Sequence, residues 1–247
     1  MKQIEDKSLA VILAELKKVL DANIKGDIVE LGCYKGETSI EIAKVLAIFS
    51  GGARRGCPKN VFTELSNQQD KQVKNIIQEK ILGADRATGP EKLINKKLWL
   101  YDSFSGLPEK SKEDLSAIGE SFQKGELFCT KAEVITKFAK ANLPKPVIKK
   151  AWFSDLKPED LPNEICFALL DGDFYDSIKT SLELIENNLT KNATIIIDDF
   201  ANPALPGARQ ATEEWLTKIK SKTNSKPPQL KLQQLGALAI INMRNIV

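Results

Sequence analysis

Two pairs of acids follow two of the most apolar runs in the chain. Asp171-Gly172-Asp173 comes directly after the run 165–170, and Asp198-Asp199 comes after 193–197. Short apolar runs of this kind read as strands covered on both faces. Open parallel sheets bind ligands outside the carboxyl ends of such strands. If the two strands are neighbours, up to four carboxylates meet at one edge. Like charges that close resist ionising together, and a divalent cation is the natural compensator. An all-oxygen donor set favours Mg2+, with Mn2+ or Ca2+ as alternatives. The plainer alternative is that Asp173 or Asp176 caps the next helix and that one of Asp198 and Asp199 is a loop residue.

A second candidate is Glu30-Leu31-Gly32-Cys33-Tyr34-Lys35-Gly36, where a short apolar strand turns into a helix. Glycines there let the backbone turn and approach a ligand, and a helix N-terminus favours a negative group. The spacing is not that of a dinucleotide fingerprint, because Tyr34 stands where the second glycine belongs. The next strand-end acid, Asp102, lies 70 residues beyond Gly32 instead of about 20. A strand-end acid with a glycine turn suits S-adenosylmethionine better, since only a carboxylate needs the helix end. Asp102-Ser103-Phe104-Ser105-Gly106 reads either as a ribose-binding strand end or as a capped turn.

Composition narrows the chemistry further. The 247 residues contain no histidine, so Ser-His-Asp and Cys-His catalysis, histidine bases and His-ligated zinc are excluded. Ser39 and Ser177 have no histidine to activate them. The four cysteines, Cys33, Cys57, Cys129 and Cys166, form no CxxC pair and read as small core residues in a reduced, cytoplasmic setting. The first residues lack the basic, apolar and small-residue regions of a signal peptide. No run approaches 18 apolar residues, so no membrane helix is expected. A formal charge of +3 gives no reason to expect nucleic acid or an anionic membrane as partner.

The elements that must carry these residues follow from periodicity. Helices are expected at 7–20, 38–49, 131–141, 177–189 and 208–221. Strands are expected at 27–31, 98–101, 147–152, 165–170 and 193–197, with a terminal pair around Gly236 in 230–243. This alternation predicts an α/β fold with a mostly parallel sheet and helices on both faces. The stretch 50–97 breaks the rhythm. It holds ten Lys and Arg against five Asp and Glu over 51–97, with a short helix expected at 71–82, and reads as a basic insertion in a single domain. The apolar N-terminal helix suits packing on its own sheet or, in a homo-oligomer, an interface. Trp152-Phe153 reads as core or pocket lining, Lys149, Lys150 and Lys157 as solvated, and Arg209 as a salt bridge or an anion contact.

In order and spacing, IVELGCYKGETS (28–39), LYDSFSGLPE (100–109), KKAWFSDLKPEDLP (149–162), FALLDGDFYDS (167–177), IIIDDF (195–200) and PGARQATEEW (206–215) resemble the macrocin O-methyltransferase (TylF-type) family, enzymes that methylate sugar hydroxyls of natural products. The resemblance implies a Rossmann-like class I methyltransferase fold with a C-terminal antiparallel strand pair, S-adenosyl-L-methionine as cofactor and dependence on Mg2+ (or Mn2+). Carried over by position, Glu30, Gly32 and Gly36 line the cofactor's methionine end, and Asp102, Ser103 and Phe104 its ribose and adenine. The same stretches bring Tyr34, Thr38, Ser39, Trp152 and Asp171 to the cofactor. Asp171, Asp198 and Asp199 match the metal ligands, and Asp171 also matches the general base.

The expected activity is metal-dependent O-methylation of one hydroxyl of a vicinal diol, on a sugar or glycosylated small molecule. A metal holding both oxygens would lower the pKa of the one attacked, and Asp171, or Asp173 in another register, would take the proton. Two rivals are a methyltransferase-like module that binds S-adenosylmethionine without turnover and an NAD(P)-dependent oxidoreductase. Tyr34 and the 70-residue gap disfavour the oxidoreductase.

Overall fold

The computed structural model of the chain describes residues 4–50, 95–119, 121–222 and 229–244. The basic stretch, its expected helix at 71–82 and Cys57 lie almost wholly or entirely outside the described residues.

Seven strands form one sheet in the order β3-β2-β1-β4-β5-β7-β6. In chain order they are β1 (Asp27–Leu31), β2 (Leu98–Asp102), β3 (Val147–Lys150), β4 (Ile165–Leu170), β5 (Leu189–Ile197), β6 (Gln229–Leu235) and β7 (Leu238–Arg244). The first five run parallel, whereas β7 runs antiparallel to both β5 and β6. The helices are α1 (Asp6–Asp21), α2 (Glu37–Phe49), α3 (Lys131–Lys140), α4 (Tyr175–Ile185) and α5 (Pro206–Lys222).

Side chains alternate along each strand, so the sheet builds a core on each face. Ile28, Leu100, Phe167, Leu169 and Ile196 pack with α1, α2 and α3 on one face. Val29, Leu31, Ala168, Ile195 and Ile197 pack with α4 and α5 on the other. Leu13, Leu16 and Leu20 recur at three-and-four spacing along α1 and are buried against its own sheet. Among the described residues no helix is long and apolar enough to cross a membrane. Cys33, Cys129 and Cys166 are free and buried, and burial pushes the Cys129 and Cys166 thiols each up to about 11. None of the three is a thiolate nucleophile.

Several element boundaries differ from the periodicity: the helix expected at 177–189 ends at Ile185, the strand expected at 147–152 ends at Lys150, and β5 and α4 start early. β5 starts four residues early because Thr190 donates its hydroxyl to the carbonyls of Lys25 and Ile165, drawing a polar stretch into the sheet. α4 starts at Tyr175, two residues early, because its first N–H finds an acceptor far away in sequence. Tyr175 N donates to Asp114 Oδ1 at 2.7 Å. The helix takes no side-chain cap from its own N-cap residue, Phe174. Lys149, expected to be solvated, is ion-paired with Asp160.

Candidate active site

The sheet order reverses between β1 and β4, which start from adjacent positions and connect outward in opposite directions. Such a switch point opens a crevice at the strands' carboxyl ends. A cleft of about 890 Å3 lies there. Its shape depends on Gly32, which sits at φ +93°. A Cβ at that position would stand 1.9 Å from the Asp171 carbonyl oxygen. Only glycine lets the β1 and β4 ends come this close.

Parallel pairing then sets the acids side by side. Leu170 of β4 is in register with Ile197 of β5, so Asp171 and Asp198 leave adjacent strands at the same level. Asp173 and Asp199 both adopt the left-handed backbone region, at φ +60° and +55°, where acids are tolerated better than bulky residues. One carboxylate oxygen each from Asp171, Asp173 and Asp199 lies within 4.8 Å of the other two. Asp198 adjoins this group. Its Oδ1 accepts from the Asp199 N–H at 2.9 Å, while Asn202 donates to Asp199 Oδ1 at 2.8 Å.

Burial is the largest cause lifting all four acids above the usual carboxylate range, and repulsion from neighbouring acids adds to it for Asp171, Asp173 and Asp198. Asp171 is raised well up by burial, then by Asp198, Asp173 and Asp199. Asp173 is raised well up by burial, then by Asp199 and Asp198. Asp198 reaches about 7, and Asp199 is raised less because Asn202 supports its charge. Among the described residues that line the cleft, Lys35 is the one cationic side chain. Three part-buried carboxylates that close, short of positive charge and free of nitrogen or sulfur donors, fit a hard divalent cation.

The neighbouring strand end is organised by Asp102. Its Oδ2 accepts from Cys33 N at 3.0 Å and Tyr34 N at 2.9 Å, and its Oδ1 accepts from Phe104 N at 2.7 Å. The capped-turn and ligand-facing readings therefore coexist, since Asp102 also lines the cleft. Oδ1, with one bond, keeps acceptor capacity, whereas Oδ2 already accepts two.

Of the residues named from sequence, Gly32, Tyr34, Asp102, Ser103, Trp152, Asp171, Asp198 and Asp199 line the cleft, as does Asp173. Glu30, Gly36, Thr38, Ser39 and Phe104 do not. Gly36 is the N-cap residue of α2. Thr38 faces a separate cavity of about 480 Å3 between α1, α2 and α3. Phe104 is packed into the core. Ser39 is fully buried and donates to Glu30 Oε2 at 2.6 Å. The other Glu30 oxygen, Oε1, is buried without a hydrogen-bond partner, and burial pushes this carboxyl up to about 8. Arg209 stacks 4.4 Å from the Phe200 ring and pairs with Glu213 and Gln234.

Sequence reasoning missed other walls of the cleft. Glu5 and Ser8 contribute from the start of α1, Gln234 from the end of β6, and Gly236 and Ala237 from the β6–β7 turn.

The model of the family described as Macrocin-O-methyltransferase (TylF) matches residues 87–226. The chain belongs to that family. The TylF match covers Asp102, Trp152 and all four strand-end acids, while the Gly32 turn lies before it. A tetracenomycin-C sugar enzyme of Streptomyces olivaceus, named 8-demethyl-8-(2,3-dimethoxy-alpha-L-rhamnosyl)-tetracenomycin-C 4'-O-methyltransferase, is 24% identical over 206 residues. The match spans 81% of this chain and 61% of that relative, so less than two thirds of its length. Among solved structures, the O-methyltransferase NovP superposes with a TM-score of 0.65 at 17% identity, over 97% of this chain and 80% of NovP. The calicheamicin methyltransferase CalS11 gives 0.60 at 18%, over 96% and 78%. These likenesses establish a Rossmann-like class I methyltransferase fold for this TylF member.

Proposed function

We propose that this TylF-family chain transfers a methyl group from S-adenosylmethionine to a hydroxyl of a sugar or glycosylated small molecule, using a divalent cation, Mg2+ or Mn2+. The observation that carries this reading is the convergence of Asp171, Asp173 and Asp199 beside the Gly32 turn, in the crevice where an open sheet binds its ligand. Family membership and a relative named as a sugar O-methyltransferase support it. Buried free thiols suit a reduced cytoplasmic setting.

Once bound, the cation supplies Lewis acidity toward the acceptor hydroxyl, and the cofactor supplies the sulfonium methyl group. Asp171, Asp173 and Asp199 hold the cation in this reading, with Asp198 supporting Asp199 through its N–H. The Gly32–Gly36 turn and Asp102 hold the cofactor's methionine and ribose ends, and Trp152 forms a wall for the base. Asp171, or Asp173, receives the hydroxyl proton on a carboxylate oxygen as the acceptor oxygen takes the methyl carbon and the carbon–sulfur bond breaks. Holding oxygen, carbon and sulfur in line is the protein's main contribution to rate.

The test is labelled-methyl transfer into fractionated glycosides and small-molecule extracts, with release of S-adenosylhomocysteine followed with and without EDTA. Label incorporation that EDTA abolishes, with cofactor binding retained, is expected. Full activity in excess EDTA would refute the metal. Cofactor binding with no S-adenosylhomocysteine from any fraction would leave a binding module, and NAD(P) affinity in place of S-adenosylmethionine affinity would leave an oxidoreductase.

A further inference from the structure

Asp114 touches neither the cleft nor any of the four strand-end acids, yet it is fully buried. It ends the single 3-10 turn Lys112–Asp114. Its carboxylate is divided between two jobs. Oδ2 accepts from Ser111 N at 3.0 Å and Ser111 Oγ at 2.8 Å, closing its own turn. Oδ1 accepts from Tyr175 N at 2.7 Å, across 61 residues of sequence. Tyr175 is the first residue of α4, and α4 begins directly after the acid loop 171–174. A Cβ on Gly207, near the start of α5, would stand 2.0 Å from Asp114 Oδ1. Glycine at 207 is what admits the carboxylate.

The same short segment reaches the second acid loop as well. Ser116 donates its hydroxyl to the Pro203 carbonyl at 2.8 Å, four residues beyond Asp199. Residues 111–116 therefore fasten both loops that follow the acid-bearing strands. The first of these loops is under local strain. Asp173 sits at φ +60°, and the Phe174 N–H folds back to the Gly172 carbonyl at 2.7 Å. A strained loop keeps its shape only while its surroundings hold it, and one exit of this loop is the Tyr175 N–H that Asp114 binds. A carboxylate is suited to this place, because a negative group at a helix N-terminus is stabilised by the aligned peptide dipoles.

We propose that Asp114 is a positioning residue for the acid group. By capping α4 in trans it sets where Asp173 stands relative to Asp171 and Asp199. This rests on the cation-binding reading above, and its test separates the two.

Three variants serve, D114A, D114N and G207A, together with hydrogen exchange on the unliganded protein and Mn2+ titration. In D114A, exchange protection should fall in peptides covering 171–178 and stay native in β1 and α2, since local opening follows the lost cap. Mn2+ affinity should fall about tenfold or more, as for other groups that hold metal ligands in place, while S-adenosylmethionine affinity stays within about twofold. D114N keeps an acceptor for Tyr175 N and should recover most of the Mn2+ affinity. G207A places a methyl group against Oδ1 and, at 2.8 Å, against Tyr175 N and Cβ, so it breaks the same Asp114–Tyr175 contact and should reproduce D114A, giving a second route if D114A does not fold. Native exchange and native Mn2+ affinity in a folded D114A would overturn the proposal. So would equal losses in D114A and D114N, or an equal loss of S-adenosylmethionine and Mn2+ binding. A wild-type protein that binds no Mn2+ would instead overturn the cation reading, and the exchange pattern would still decide whether Asp114 holds the loop.

Discussion

Glu30 carries the plainest prediction for a single residue. Its Oε1 is buried without a partner and its carboxyl sits at about 8. The native protein therefore holds a proton that the unfolded chain gives up near the ordinary carboxylate value. Stability from this group is fully present below that value and is lost as pH rises through about 8. Glu30→Gln should remove the loss, so its melting temperature should exceed that of the wild type at pH 8–9 and match it near pH 5. Thermal melts across that range check this, and parallel curves would contradict it. Gly32→Ala, which drives a methyl group into the Asp171 carbonyl, should cost about 1–3 kcal/mol in strain at least and abolish cofactor binding. Calorimetry and ligand titration read the two effects. Among the acids, Asp173→Asn should weaken Mn2+ binding by about tenfold or more and should do so more than Asp198→Asn. The reverse order would return Asp198 to the ligand set in place of Asp173. The sequence made all four acids visible, because they interrupt apolar runs. It could not say which three share a point, since that depends on left-handed backbone at Asp173 and Asp199 and on strand register.

At the scale of elements, the interior of the sheet was legible and its margins were not. The run 165–170 is apolar throughout and bounded by Asp and Gly, so its strand could be read without ambiguity. The N-terminal part of β5, Leu189 to Asn192, is mostly polar and gives no such signal. It joins the sheet through two hydroxyl bonds from Thr190. The start of α4 was hidden for a related reason. Ser111 and Asp114 have the spacing of a local capping pair, and nothing in that spacing reveals a helix 61 residues away. Element interiors also carry the stability. Ile196 is fully buried near the carboxyl end of β5, between β4 and β7, so Ile196→Ala should destabilise by about 2–5 kcal/mol. Denaturant titration checks that figure, and a value under about 1 kcal/mol would mean that the core collapses around the gap.

For the whole molecule, a nearly balanced charge count conceals an uneven surface. Among the described residues lining the cleft, Glu5, Asp102 and the four strand-end acids face Lys35. Such a field repels anions and weakens with salt. Neutral glycosides should accordingly be better acceptors than nucleoside-diphosphate sugars. The margin should be about tenfold or more in kcat/KM at low ionic strength, narrowing as salt is added. An equal or reversed preference would show that positive charge reaches the cleft from elsewhere in the chain.

The order of the sheet has a further consequence, for the way the chain is made. β5 carries Asp198 and Asp199 at its end, but its outer neighbour is β7, and the β6–β7 turn supplies a wall of the cleft. During synthesis, β5 and α5 are made before that neighbour. Until β7 docks, β5 presents an unpaired and strongly apolar edge, which is a template for wrong pairing. The acid group is thus finished only once β7 docks, and its assembly waits on residues far downstream of those that do the chemistry.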